Sequence, residues 1–331
     1  MPQRQALLQH WLRHHCGLSD FSFAPASGDA SFRRYFRIGL GDGRTLIAMD
    51  APPDKEDCGP FIDVTTRLAL TGVHVPEILE QDLQQGFLLL EDLGNELYLG
   101  QLNDESVEQL YGDALSALLQ FQQHGSVEGL PPYDRELLAR EMELFPDWLL
   151  ERHLGLSLSE ADHQMLEQTF GQLIDNALAQ PRVLVHRDYH SRNLLVCKDN
   201  NPGIIDYQDA VYGPITYDLV SLLRDCYIRW PLGRVDAWAE RYAQQALETG
   251  LLEESQLAQF PGWFDLMGVQ RHLKAAGIFA RLNHRDGKPG YLADIPRTLG
   301  YVVEVARRRP QVEALAALIE REVLPRLRAD R

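Results

Sequence analysis

The residues best equipped for chemistry lie within fourteen positions, "VLVHRDYHSRNLLV", residues 183–196. Two apolar, β-branched runs flank a loop carrying His186, Asp188, His190 and Asn193 in the order H-R-D-x-x-x-x-N, which reads as strand, loop, strand. A further acid, Asp206, ends the apolar run "GIID". If 194–197 and 203–206 pair as a hairpin, Asp206 returns towards Asn193. One carboxylate to orient a hydroxyl, with an amide and a second carboxylate to hold Mg²⁺, is what phosphoryl transfer asks of a protein. That chemistry needs positioning and charge neutralisation, with little covalent work. Magnesium prefers oxygen ligands and keeps several waters, so one Asp and one Asn suffice beside phosphates. A single loop Asp is more commonly a turn residue. The whole spacing in its strand context points to a phosphoryl-transfer site.

His186 and His190 have the spacing of two zinc ligands on a helix, but Arg187 and Asp188 between them and the β-like flanks break the H-E-x-x-H pattern. His186 is expected to organise the loop, and His190 to do the same or to touch substrate. His10, His14 and His15 belong on a solvated helix face. A second loop, within "ASGDASFRRYFRI", places Ser27, Gly28 and Ser31 between two strands, where backbone N–H groups can approach phosphate oxygens. It has one glycine, not G-x-G-x-x-G, so a plain hairpin turn competes. Arg33 and Arg34 add positive charge there, although alternation along a strand turns them to opposite faces.

The elements that must position these loops fall into two groups. Up to residue 92, "FSFAPAS", "SFRRYFRIGL", "RTLIAMDAP", "VPEILEQ" and "GFLLLEDLG" read as strands, with one helix, "GPFIDVTTRLALTG", closed by Gly72. From 103 onward apolar residues recur at helical spacing, with helices expected near 134–153, 159–180, 217–228, 234–249 and 262–282. The expected fold is α+β and bilobal. A small β-rich nucleotide-binding lobe spans 1–92, and a larger, mainly helical catalytic and acceptor-binding lobe spans 93–331. The seam falls near 88–94, and a cleft between lobes is a usual ligand site.

Composition narrows the partners. The 331 residues carry a net charge of −16, which argues against a nucleic-acid backbone as ligand. No apolar run approaches the length of a membrane span. The N-terminal segment reads as an amphipathic helix without a signal-peptide core. Cys16, Cys58, Cys197 and Cys226 are scattered without a C-x-x-C pair, as expected of reduced thiols in the cytoplasm. The expected partners are ATP and a small hydroxyl acceptor, with no obligate protein partner.

Across nearly its whole length the chain resembles the aminoglycoside phosphotransferase and choline kinase superfamily, relatives of protein kinases. The resemblance runs through "SGDASFRRYFRI", "MDAPPDKEDCGPF", "HVPEIL", "GFLLLEDLG", "VHRDYHSRNLLV", "GIIDYQDAVYGPITYDLVSLLRD" and "QRHLKAAGIFARL". Within the superfamily it looks most like the bacterial cell-wall sugar kinases that phosphorylate N-acetylmuramate and N-acetylglucosamine at the anomeric C1 hydroxyl. The resemblance implies ATP and Mg²⁺ as cofactors, Asp188 as catalytic base, Asn193 and Asp206 as metal ligands, and the backbone from Glu91 to Leu93 against adenine. It also implies that Asp218 braces the catalytic loop.

One departure stands out. The β3 lysine that grips the α/β-phosphates in this superfamily is missing, and "TLIAMDAP" offers Met49 and Asp50 instead. Arg33, Arg34 and Lys55 are the nearby cations that could replace it. Without a replacement, the chain would be a nucleotide-binding regulator with little catalysis. A cationic acceptor such as an aminoglycoside or choline would want an acidic or aromatic pocket. The acceptor lobe carries Arg224, Arg229, Arg271, His272 and Arg281. These favour a neutral or anionic sugar, with His190, Arg229 and Arg271 as the expected substrate contacts.

Overall fold

The computed structural model describes residues 2–27 and 32–329. The chain divides into two compact units, Met1–Leu97 with Leu194–Asp209, and Tyr98–Asn193 with Ala210–Arg331. The sequence reading drew a single boundary at 92. The compact units are instead cut after Leu97, and residues 194–209 pack with the first one because backbone pairing ties them there. Val196 N–H donates to the Glu96 carbonyl and Ile204 N–H to the His74 carbonyl.

The first unit opens with α1 (Pro2–His14), followed by β1 (Phe21–Ser27), β2 (Arg34–Leu40), β3 (Thr45–Asp50), α2 (Gly59–Leu70), β4 (Ile78–Asp82) and β5 (Phe87–Glu91). The strands form one antiparallel sheet in the order β1-β2-β3-β5-β4. Leu8, Trp11 and Leu12 of α1 recur at helical spacing and pack on Phe36, Ile38, Ala48, Phe87 and Leu89 of the sheet. Each such burial contributes about 1.5–3 kcal/mol. His10, His14 and His15 lie on the exposed face, as expected. Gly72 follows α2 with φ of 87°, the left-handed conformation that a helix terminus of this kind requires. A two-strand hairpin, β7 (Leu194–Leu195) with β8 (Gly203–Ile204), completes the unit.

The second unit is mainly helical. It contains α3 (Tyr98–Gln101), α4 (Val107–His124), α5 (Arg135–Met142), a π-helical stretch Phe145–His153 and α6 (Glu160–Leu178). Its later helices are α7 (Thr216–Leu223), α8 (Leu232–Glu248), α9 (Glu254–Leu257), α10 (Phe260–Asp286) and α11 (Ile295–Ala306), with shorter ones to Ala329. Strands β6 (Arg182–Val185) and β9 (Val211–Pro214) pair antiparallel within it. The long α10 is buried along most of its length, because it packs against α6, α7 and α11 and the π-helical stretch. No helix among the described residues is long and apolar enough to cross a membrane. The four cysteines are free.

Candidate active site

The loop between β6 and β7 is held from several sides. Asp218, buried in the first turn of α7, accepts from the His186 N–H at 2.7 Å and the Arg187 N–H at 3.0 Å. Burial pushes its carboxyl up to about 7, against the pull of those two donors. This is the bracing position expected of Asp218. His186 is fully buried, and its Nδ1 accepts from the Asp188 N–H at 3.2 Å, the loop-organising role the sequence suggested. The Ser191 N–H donates to Asp225 at 3.0 Å, and the Tyr189 hydroxyl donates to the Ala114 carbonyl at 2.8 Å. Arg187 has φ of 78°, in the left-handed region that costs a non-glycine residue about 1–2 kcal/mol. Strain of that kind persists where surrounding contacts over-determine the backbone, commonly at functional sites.

Asp188 therefore sits on a rigid turn. Its carbonyl accepts from the His190 N–H at 3.0 Å and from the Asn193 side-chain amide at 2.9 Å. No hydrogen bond to its carboxylate exists among the described residues. Burial works against its charge, but the fields of Lys274, His190, Arg271 and Arg187 hold it below the ordinary carboxylate range. It is an ionised acceptor without a committed donor.

The cations around it are anchored elsewhere. Glu141 of α5, 6% exposed, pairs with Arg187 and, at 3.0 Å, with the Lys274 Nζ, and it also accepts from the Tyr133 hydroxyl. Lys274 donates to the Tyr217 hydroxyl at 2.9 Å. Arg271 is 5% exposed, over Tyr217, with its guanidinium 3.8 Å from the Cys226 Sγ. Arg271 and Lys274 lie three apart on α10, so both reach one face of that helix. His190 is half-buried, edge-on to Tyr227, and burial lowers its pKa.

The structure thus gathers Asp188, His190 and Arg271 in one region of the second unit. Arg229 is engaged differently, bonded to Glu304 of α11 at 3.1 Å and lying over Tyr301. Sequence reasoning did not assign a role to Glu141, Lys274, Arg192 or Tyr227. Lys274 had a signal, being one of four lysines and close to Arg271 on a helical pattern. Glu141 had none, because an acid on an amphipathic helix reads as solvated until its partners are known.

In the first unit, Asp206 lies two residues beyond β8, with φ of 67°, and accepts from the Gln208 side-chain amide at 2.9 Å. Asn193 immediately precedes β7 in the chain. Their amide and carboxylate oxygens are hard donors of the kind Mg²⁺ takes, so the residue types fit that ion. Glu91 ends β5, and its carboxylate lies 3.5 Å from the His74 Nε2. Asp92 beside it is gripped by Arg37 at 2.6 and 2.9 Å, and the Leu93 carbonyl accepts a weak bond from the Cys197 thiol.

Asp50, where the lysine was expected, is fully buried. It pairs with Arg34, its cross-strand neighbour, and with the Arg4 Nε at 2.9 Å. Arg33 lies 3.9 Å from Glu56, and Lys55 is exposed beside Asp54. Gly28 and Ser31 lie outside the described residues, as does the side chain of Ser27.

A family model described as "Phosphotransferase enzyme family" matches residues 22–258. Among curated proteins, the N-acetylmuramate/N-acetylglucosamine kinase of Pseudomonas putida is 50% identical over 298 residues, covering 90% of this chain and 87% of that protein. The protein of the same name from Neisseria meningitidis is 43% identical, covering 96% of this chain and 95% of its own length. Among solved structures, the Plasmodium vivax ethanolamine kinase superposes with a TM-score of 0.64 at 11% identity, covering 94% of this chain and 90% of that one. The ADP-bound aminoglycoside phosphotransferase APH(2'')-Ib superposes at 0.58 and 13%, covering 89% and 97%. The fold is therefore protein-kinase-like. With the family match spanning most of the chain and the H-R-D-x-x-x-x-N loop intact, the chain belongs to the phosphotransferase enzyme family.

Proposed function

We propose that this protein is an ATP-dependent kinase that phosphorylates the anomeric C1 hydroxyl of N-acetylmuramate and of N-acetylglucosamine, sugars of the bacterial cell wall. The acceptor rests on one observation: two relatives 50% and 43% identical over at least nine-tenths of this chain carry that name. The state of Asp188 supports catalysis over a regulator without turnover, since its carboxylate is ionised and uncommitted. Asp188 accepts the hydrogen bond of the sugar hydroxyl, aims its oxygen at the γ-phosphorus and takes its proton as the bond to phosphorus forms. An anomeric hydroxyl is more acidic than an ordinary alcohol, so a carboxylate of depressed pKa serves as acceptor. In the loose transition state of phosphoryl transfer, the proton moves late and orientation matters most. Asp206 and Asn193 would hold Mg²⁺, which would supply neutralisation of the phosphate charge. Arg33, itself 3.9 Å from Glu56, is the cation assigned to the missing lysine's role, because Arg34 is bonded directly to the buried Asp50 and Lys55 is exposed beside Asp54. The 91–93 backbone meets the adenine.

The test is ADP release with Mg-ATP and a panel of N-acetylmuramate, N-acetylglucosamine, an aminoglycoside and choline, with the product identified by ³¹P NMR. The two amino sugars are expected to turn over, and their C1 methyl glycosides to be inert. Preferential turnover of choline or the aminoglycoside, or phosphorylation of a methyl glycoside, overturns the reading.

A further inference from the structure

The sequence nominated Arg224, Arg229, Arg271 and Arg281 as cations that could favour an anionic sugar, and each of them is either buried, in part or wholly, or bonded to a carboxylate. Arg224 is buried and bonded to Asp265 at 2.6 Å. Arg229 is bonded to Glu304. Arg271 is sealed beneath the site, balancing the charges of Asp188 and Asp225. Arg281 is half-buried beside the like charge of Arg285, and its Nε has no hydrogen-bond partner among the described residues. Within the catalytic loop itself, Arg187 is paired with Glu141.

Arg192 is different. It lies four residues after Asp188, it is exposed, and no carboxylate stands within ion-pair distance of it among the described residues. Its guanidinium rests on two half-buried aromatic rings, 4.5 Å from the Tyr227 centroid and 5.6 Å from that of Tyr291. Those rings are in turn fixed. Tyr227 meets His190 edge-on and Phe279 of α10, and Tyr291 stacks on Phe279 at 5.6 Å. The two tyrosine rings and a side-chain hydrogen bond to Tyr227 hold the guanidinium in place, and its remaining in-plane N–H donors are left for a ligand. A cation so placed is ordered before a ligand arrives and loses little entropy on binding one. The planar fork matches the two oxygens of a carboxylate.

We infer that Arg192, cradled by Tyr227 and Tyr291, reads the carboxylate of the acceptor sugar and so makes the site favour N-acetylmuramate over N-acetylglucosamine. The two sugars differ by a lactyl ether at C3, which carries the only carboxylate in either. The reacting hydroxyl faces Asp188 at one end of the loop, and the lactyl acid meets Arg192 at the other. This inference rests on the functional reading above.

The test compares kcat/KM of wild-type protein and Arg192→Met for both sugars, together with the KM for ATP. A lost charge-assisted, bidentate contact is worth roughly a tenfold to hundredfold change. The loss on N-acetylmuramate is expected to exceed that on N-acetylglucosamine by that factor, carried mainly by KM. Arg192→Lys, which keeps the charge but not the fork, is expected to fall between. Equal losses on the two sugars, or a raised KM for ATP in place of a changed sugar ratio, overturn the assignment of Arg192 and leave the functional reading standing. Wild-type protein that turns over neither sugar overturns both.

Discussion

Asp50 and Asp188 are both acids set among arginines, and they end in opposite states. Asp50 is fully buried, with Arg34 and Arg4 bonded directly to its two oxygens. Its lone pairs are spent on neighbours, and its role is to join β2, β3 and α1. Asp188 feels Lys274, Arg271 and Arg187 only through space. Lys274 and Arg187 are tied to Glu141 instead. A carboxylate that is satisfied is structural, and one that is ionised but unbonded can accept a hydroxyl. Glu141 makes that difference by engaging the cations that would otherwise close on Asp188.

Breaking the comparison at its reactive end gives the largest effect. Asp188→Asn is expected to lower kcat by about 10²–10⁴-fold, with nucleotide affinity by calorimetry nearly unchanged, since hydroxyl orientation and proton acceptance are lost together. A variant with near-normal turnover removes Asp188 from the role of base.

Glu141→Gln tests whether Asp188 can be turned into a second Asp50. Releasing Lys274 and Arg187 leaves two buried cations short of a partner, a loss of about 3–5 kcal/mol in unfolding experiments. The freed cations are expected to bond the Asp188 carboxylate and lower kcat even where the variant is folded. The pH dependence has a definite sign. Lys274 and Arg187 hold the Glu141 carboxyl below its ordinary value, although burial opposes this. Its stabilisation is therefore present above the unfolded value of about 4.3 and is lost as pH falls through the folded one. The stability gap between wild type and variant should be constant from pH 6 to 8 and close below about pH 4. A gap that widens in acid contradicts the ion network.

The structural end of the comparison is milder. Arg4 and Arg34 are each 28% exposed, so after Asp50→Asn both can turn towards water. The expected cost is about 1–2 kcal/mol, read from the denaturant midpoint, with sugar KM unaffected. A drop in kcat as large as that of Asp188→Asn would mean the two acids are not so different.

The smallest effect is expected at Arg33. Arg33→Ala should raise the KM for ATP by about threefold to tenfold, the scale of one charge-assisted contact. Arg34→Ala, measured beside it, should act on stability. Equal ATP kinetics for wild type and Arg33→Ala would leave Mg²⁺ and backbone amides to hold the phosphates.

Much of this was legible in the residues alone. β-like runs bounded by turn residues mark the strands of the first unit, and helical periodicity marks the second. The loop 186–193 was legible as one unit because its spacing is local, with Asp188 and Asn193 joined by a single turn of backbone. The hairpin that follows is equally local, and β7 and β8 pair as expected. Composition likewise set the acidic charge that disfavours a nucleic-acid ligand.

What the sequence left open depends on partners far along the chain. Arg33, Arg34 and Lys55 read alike as spare cations until the register of β2 and β3 sets Arg34 opposite Asp50. Glu141 and Lys274 are 133 residues apart in the chain and acquire meaning only when α5 and α10 pack together. Arg192 was printed inside the most conspicuous motif of the sequence, yet nothing local showed that it lacks a carboxylate partner or rests on Tyr227 and Tyr291. Pairing of charges is a property of distance in space, and one-dimensional spacing encodes that distance only within an element or a short turn. The chemistry available to this chain was written in its residue types, and which of its charges are free to use it was decided by the tertiary structure.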